Sequence, residues 1–165
     1  MVYEAKGENE MRSAWIIGLG MALAFSLSGC GDKNELLQGT YRFEKVHYLS
    51  LLSSSTKDYV NSRNEGTEYV IHEDVFRIIG PEETMELESP EYVREELEES
   101  SGFMDLDKVL QNMDAVRYAI CDKDGSRSRW SLYVSGESLW IGRHNDLPDG
   151  RELLFDLYSI RKTGP

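Results

Sequence analysis

Cysteine is scarce in this chain: Cys30 and Cys121 are the only two among 165 residues. A disulfide framework is excluded, so stability must come from a hydrophobic core. Basic residues are outnumbered 18 to 30, which gives a formal charge of −12. A surface this acidic lacks the basic footprint that nucleic acid requires, and anionic lipid headgroups repel it. A serine nucleophile elbow, a His-Glu-x-x-His helix and a Gly-rich phosphate loop are all missing. His47, His72 and His144 stand on separate segments without metal-ligand spacing. The expectation is a protein with no catalytic residue, no metal and no cofactor, and not an enzyme.

One long hydrophobic run is present. Arg12 precedes Ala14–Leu27, fourteen residues whose only polar member is Ser26. As a helix this run spans about 21 Å at roughly 1.5 Å per residue, short against a bilayer core of about 30 Å. A basic start, a short apolar run and small residues after it form the secretory pattern. The run ends in Leu27-Ser28-Gly29-Cys30, which resembles the lipobox of bacterial lipoproteins. That resemblance implies lipidation of Cys30, removal of residues 1–29, and attachment to the outer face of the cytoplasmic membrane or to the outer membrane. Two acyl chains on one cysteine anchor stably where one does not. Residues 1–10 carry three acids and one base, which opposes the usual orientation of such a segment. Translation is therefore expected to begin at Met11, with 1–10 a gene-start error.

Residues 30–36 read as a polar tether and 37–165 as one β domain. Without residues 1–29, whose net charge is −1, the remainder carries −11. Short turn-bounded runs with alternating apolar residues predict about eight strands. Thr40–Leu49 switches phase between Tyr41/Phe43 and Val46/Tyr48, which predicts a bulge near Lys45. Leu51–Arg63 reads as a loop with a short helix. Glu68–His72 and Val75–Ile79 form a hairpin, and Thr84–Glu88 a short strand. Ser89-Pro90-Glu91 has the residues of a helix start and predicts a helical turn or two over Glu91–Ser100. Leu106–Met113 is a second helix candidate. Ala115–Cys121, Arg129–Ser135, Ser138–Arg143 and Glu152–Arg161 read as an antiparallel meander. The fold expected is mainly β: an up-and-down barrel with one or two short helices, or a small β-sandwich.

Gly39-Thr40-Tyr41 resembles the Gly-x-Trp opening of lipocalin-like proteins, with Tyr for Trp. Ser131–Trp140 is similar to their late Trp hairpin. The resemblance implies that Arg161 packs over the Tyr41 ring as a cation–π pair. It also implies a barrel that holds a small apolar or amphipathic ligand, for which Phe43, Tyr118, Trp130 and Trp140 are the candidate lining residues. Core packing is the competing role for these aromatics. The competing function is an envelope-structural or protein-interaction lipoprotein whose acidic 82–99 segment faces a basic partner. Asp122–Ser126 reads as a hairpin turn rather than a calcium loop, and Cys121 as a buried, inert thiol.

Overall fold

The computed structural model describes residues 37–95, 110, 114–148 and 152–164. The signal segment, Cys30, the tether and most of 96–113 lie outside the described residues, and so does the expected helix over Leu106–Met113 apart from Leu110. Leu37–Pro165 forms a unit of its own. In chain order its elements are β1 (Gly39–Leu49), α1 (Lys57–Asn64), β2 (Glu68–Ile71), β3 (Val75–Ile79), β4 (Thr84–Glu88), β5 (Glu91–Glu95), β6 (Val116–Cys121), β7 (Arg127–Ser135), β8 (Ser138–Asp146) and β9 (Glu152–Lys162).

The strands make one antiparallel sheet in the order β4-β3-β2-β1-β9-β8-β7-β6-β5, curled into a half-barrel. Two meanders meet where β1 pairs with β9. Among the described residues β4 pairs only with β3 and β5 only with β6. Yet only Ser89 and Pro90 separate these two edge strands, so the curl brings the edges together at that corner. Tyr92 of β5 donates its hydroxyl proton to the His72 carbonyl, 3.0 Å away, and fastens the corner.

Alternation builds the interior. Tyr69, Ile71, Phe76, Ile78, Ile120, Trp130, Leu132, Ile141, Tyr158 and Ile160 are buried on the concave face. Burying one large apolar side chain of this kind stabilises by about 1.5–3 kcal/mol. A second, smaller cluster of Leu110, Tyr133, Trp140, Leu154 and Leu157 covers the convex face of β7–β9. The sheet there is buried on both sides.

The bulge expected near Lys45 is present as two register shifts on either side of it, between Phe43 and Lys45 and between Val46 and Tyr48. The helix start at Ser89 is a correction. Glu91–Glu95 is β5, paired residue for residue with Arg117–Cys121. Ser89 has φ 51°, in the left-handed region, and its N–H goes to the Asp74 carbonyl at 2.8 Å. An N-cap serine needs extended backbone. Tyr92 and Val93 suit a pleated surface, and pairing along β6 outweighs the local start signal. The helix that does form, α1, is capped by Thr56, whose side chain accepts from the Tyr59 N–H at 3.3 Å. Its one buried residue is Val60. Among the described residues no helix is long and apolar enough to cross a membrane.

Candidate functional site

The candidate site is a cleft of about 80 Å³ at one end of the half-barrel. It lies between α1, the β3–β4 turn and the concave face of β7–β9. Its floor is a row of three cross-strand partners: Trp130 opposite Arg143, and Arg143 opposite Asp156. Such direct partners stand about 4.5–5.5 Å apart at the backbone, so the three side chains share one patch. Arg143 donates to both oxygens of Asp156, to Oδ1 over 3.2 Å. Tyr158, two residues along β9, donates to Oδ2 over 2.6 Å. The guanidinium carbon sits 5.5 Å over the Phe155 ring, a cation–π contact. A register shift in the β8–β9 ladder leaves Phe155 without a ladder partner between Asp156 and Leu154.

Asp156 is 1% exposed. Burial pushes its carboxyl above the ordinary carboxylate range, while the Tyr158 hydroxyl and the Arg143 charge hold it down only in part. The Tyr158 phenol is raised by burial and by that neighbouring carboxylate. Two donors on this floor, Trp130 Nε1 and Arg143 Nε, are buried without a hydrogen-bond partner among the described residues.

The roof is the β3–β4 turn. Gly80 permits it: a Cβ there would meet Thr67 Oγ1 at 2.9 Å. Two ion pairs clamp the turn, Glu82 with Arg63 of α1 and Glu83 with Arg129 of β7.

The convex face of the sheet, from β5 to β9, carries a second polar cluster. Arg117 bonds Glu152 at 2.7 Å and approaches Glu95 at 3.4 Å, while Arg127 pairs with both carboxylates. Behind them His144 is buried, its Nε2 3.0 Å from the Tyr133 hydroxyl. Burial, and then the Arg117 charge, push His144 down to about 3. Gly142 leaves room for the packing: a Cβ would lie 2.7 Å from both Leu154 Cδ1 and Tyr133 Cε2.

Of the four aromatics expected to line a ligand site, only Trp130 borders the cleft. Phe43 packs edge-on against Tyr158 with ring centroids 5.5 Å apart, and Tyr118 packs against the concave core. Trp140 lies on the convex face beside Leu154, so the sheet separates it from Trp130. The ladder does not place Tyr41 and Arg161, the expected cation–π pair, on one face. Tyr41 is opposite Lys162 and faces inward, whereas Arg161 is opposite Arg42 and faces outward, where it pairs with Glu44. One residue of register decides this, because alternation sends neighbouring side chains to opposite faces. His47 is near the end of β1, His72 follows β2 beside the start of β1, and His144 is within the convex cluster. Among the described residues no three His, Cys, Asp or Glu side chains gather as a metal site. Cys121 is buried, and burial pushes its thiol up. Asp122–Ser126 is a turn, closed by a bond from the Asp122 N–H to the Ser126 carbonyl at 2.8 Å.

Arg143 and Asp156 are not among the residues singled out from sequence; Tyr158 is one of the strand aromatics read there as core or cavity lining. A signal for them exists. In Leu139-x-Ile141-x-Arg143 and Asp156-x-Tyr158-x-Ile160 a charge occupies the apolar phase of each strand. A charge in that phase needs a partner. Comparison with known proteins gave no match to a family model, a curated protein or a solved structure.

Proposed function

We propose that this chain is a lipoprotein anchored through Cys30 at an extracytoplasmic membrane surface, and that its β domain is a non-enzymatic binding module. The half-barrel fits a lipocalin-like barrel that parts between β4 and β5. The ligand is small and amphipathic and enters the cleft by one end. Drug-sized ligands fill pockets of about 300–1,000 Å³, so a cleft of about 80 Å³ admits a terminal group of a few atoms. The single observation that carries this reading is a cleft with aromatic walls whose floor holds buried polar groups, two of them donors unpaired among the described residues.

The acidic segment favours this reading over capture of a basic protein. Glu82, Glu83 and Glu86 are already paired with Arg63, Arg129 and Arg77 of their own domain.

The test uses the full chain made in bacteria fed radiolabelled palmitate and purified in detergent. Label on the wild type and none on Cys30→Ser supports the anchor; equal label on both refutes it. Thermal unfolding is then followed in the presence of small aromatic amphiphiles. A rise in midpoint with the wild type, absent from Ser55→Trp with its mouth filled, supports the cleft. A rise that is the same in both variants removes the cleft from the account.

A further inference from the structure

We infer that the Leu51-Leu52 turn is a membrane-contact site, which seats both leucines in the surface of an anionic bilayer and holds the mouth of the cleft against it. The inference rests on the reading of Cys30 as a lipid anchor and goes beyond it. An anchor fixes where the domain is, not which face it turns to the lipid.

The first observation is apolar exposure on a fixed tip. Leu51 is 79% exposed and Leu52 65%. With Tyr59 of α1 they are the three most exposed large apolar side chains among the described residues. Single exposed leucines are ordinary, but the centre of a turn favours glycine, asparagine, aspartate and serine, and here two leucines fill it. The turn is held by its backbone. The Ser53 N–H reaches the Ser50 carbonyl at 2.9 Å, and the Leu52 N–H reaches Ser50 Oγ at 3.2 Å. Ser50, itself buried, donates its N–H to the Phe155 carbonyl at 2.9 Å. The leucines therefore stay in solvent instead of folding back onto the core, and a tip already ordered loses little freedom on contact.

The second observation is charge. A domain at −11 repels anionic lipid as a whole. The side that carries the leucine turn is the exception. Lys57 donates to the His47 carbonyl at 2.9 Å. Burial, and then the charges of Lys57 and Lys45, hold the His47 imidazole below its ordinary value, so both ammonium groups stand near it. Around the outer side of β1 and the start of α1, Arg42, Lys45, Lys57 and Arg161 face Glu44, Asp58 and Glu68, a net of +1. Leucines at the tip with lysines behind them match an interfacial contact, apolar groups in the lipid and ammonium groups at the headgroups.

The third observation is reach. β1 has 11 residues, about 35 Å at roughly 3.3 Å per residue, and runs from the tether side to the leucine turn. Cys30 to Leu37 spans at most about 25 Å. With the turn in the bilayer surface, β1 is inclined to it by no more than about 45°, so its basic outer side lies over the headgroups. Leu49, Ser53 and Ser55 line the cleft. An amphipathic ligand then enters from the lipid phase.

The full chain is made in bacteria, purified in detergent and reconstituted into vesicles of phosphatidylethanolamine and phosphatidylglycerol. Ser54→Cys, exposed beside the turn, carries a nitrobenzoxadiazole dye, and Asp124→Cys in the exposed β6–β7 turn is the control. With Cys30 lipidated and Cys121 buried, the dye reacts only at the new cysteine. Lipids brominated along the acyl chain quench a dye that reaches them. Quenching at Ser54→Cys is expected to be about threefold or more above the control, and to fall to the control level when Leu51→Ser and Leu52→Ser are added. Both leucines are exposed, so these changes leave the fold intact. Equal quenching at the two positions, or quenching that survives loss of the leucines, would overturn the contact. The anchor would still stand if the chain floated with the vesicles and Cys30→Ser did not. Flotation kept by Cys30→Ser and lost on further removal of the leucines would overturn the anchor and support the contact. A wild type that does not float would overturn both.

Discussion

On its concave face the β7–β9 sheet buries Asp156 under a half-buried Arg143, and on its convex face, one residue further along β8, it buries His144 beside Tyr133. The two clusters share β7–β9 and the same alternation, the convex one drawing also on β5 and β6, but they close differently. The convex cluster is a ring of two arginines and two glutamates in which each charge has two partners. Leu110, Leu154 and Leu157 cover the neighbouring convex surface. The concave cluster is one ion pair with a tyrosine, beside a cleft, with two donors unmet among the described residues. A cluster that satisfies itself serves the fold. One that leaves buried donors beside open space has capacity for something else.

The largest contrast is expected from removing one carboxylate on each side. Asp156→Ala leaves Arg143 without its counter-charge and Tyr158 without its acceptor. Breaking a buried pair in this way costs about 3–5 kcal/mol, and the partial exposure of Arg143 puts the loss near the lower end, about 3 kcal/mol. Glu152→Gln costs about 1 kcal/mol, because Arg117 and Arg127 both keep Glu95 and the network is partly solvated. Denaturant midpoints at neutral pH, converted with a common m-value, check the order. Equal losses would mean that the two clusters are equally redundant.

Acid separates them next. The folded-state value for His144 lies near 3 against about 6.5 in the unfolded chain. Between those values the unfolded state binds the extra proton, so stability is fully present above about pH 6.5 and falls as pH drops toward 3. At about 1.4 kcal/mol per unit, roughly 3 kcal/mol is lost by pH 4. Glu152, held low chiefly by its Arg117 hydrogen bond against the opposing effect of burial, acts in the same direction below its unfolded value. Asp156 acts in reverse: its raised value means that protonation relieves the buried charge, and its contribution diminishes as pH rises through the folded value. Denaturation curves from pH 7 to 4 are expected to flatten in His144→Gln. A slope unchanged by that substitution would show that His144 is not the group responsible.

Much of this arrangement is legible in the sequence, and the reason for the remainder is physical. Period-two alternation identifies nearly all the strands, and the phase switch in Thr40–Leu49 locates the bulged region, because both are local properties of one strand. Glu91–Glu95 is misread because its state depends on β6, more than twenty residues on, and not on Ser89-Pro90. The separation of Trp130 from Trp140 follows from their places in β7 and β8: Trp130 is opposite Arg143 while Trp140 is opposite Tyr133, so register across the hairpin is required as well as alternation. The same limit applies to Tyr41 and Arg161, for which a two-bulge ladder sets the register. The floor of the cleft is three residues from three strands, and no single-strand pattern unites them.

The smallest expected effects test the comparison most directly, since each deletes one polar atom and keeps the ring. Tyr133→Phe removes the hydroxyl that meets His144 Nε2 at 3.0 Å. It leaves that buried nitrogen unpaired beside a second one, Nδ1, already without a partner among the described residues. A loss of about 1–2 kcal/mol is expected. Trp130→Phe removes an indole N–H that has no partner to lose among the described residues. Its cost is the packing of the missing ring atoms, offset by relief of an unmet donor, and the net is expected to stay within about 1 kcal/mol. Ligand-free thermal unfolding of the two variants decides it. If Trp130→Phe costs as much as Tyr133→Phe, the indole is bonded within the folded protein, and the concave floor is as self-sufficient as the convex ring.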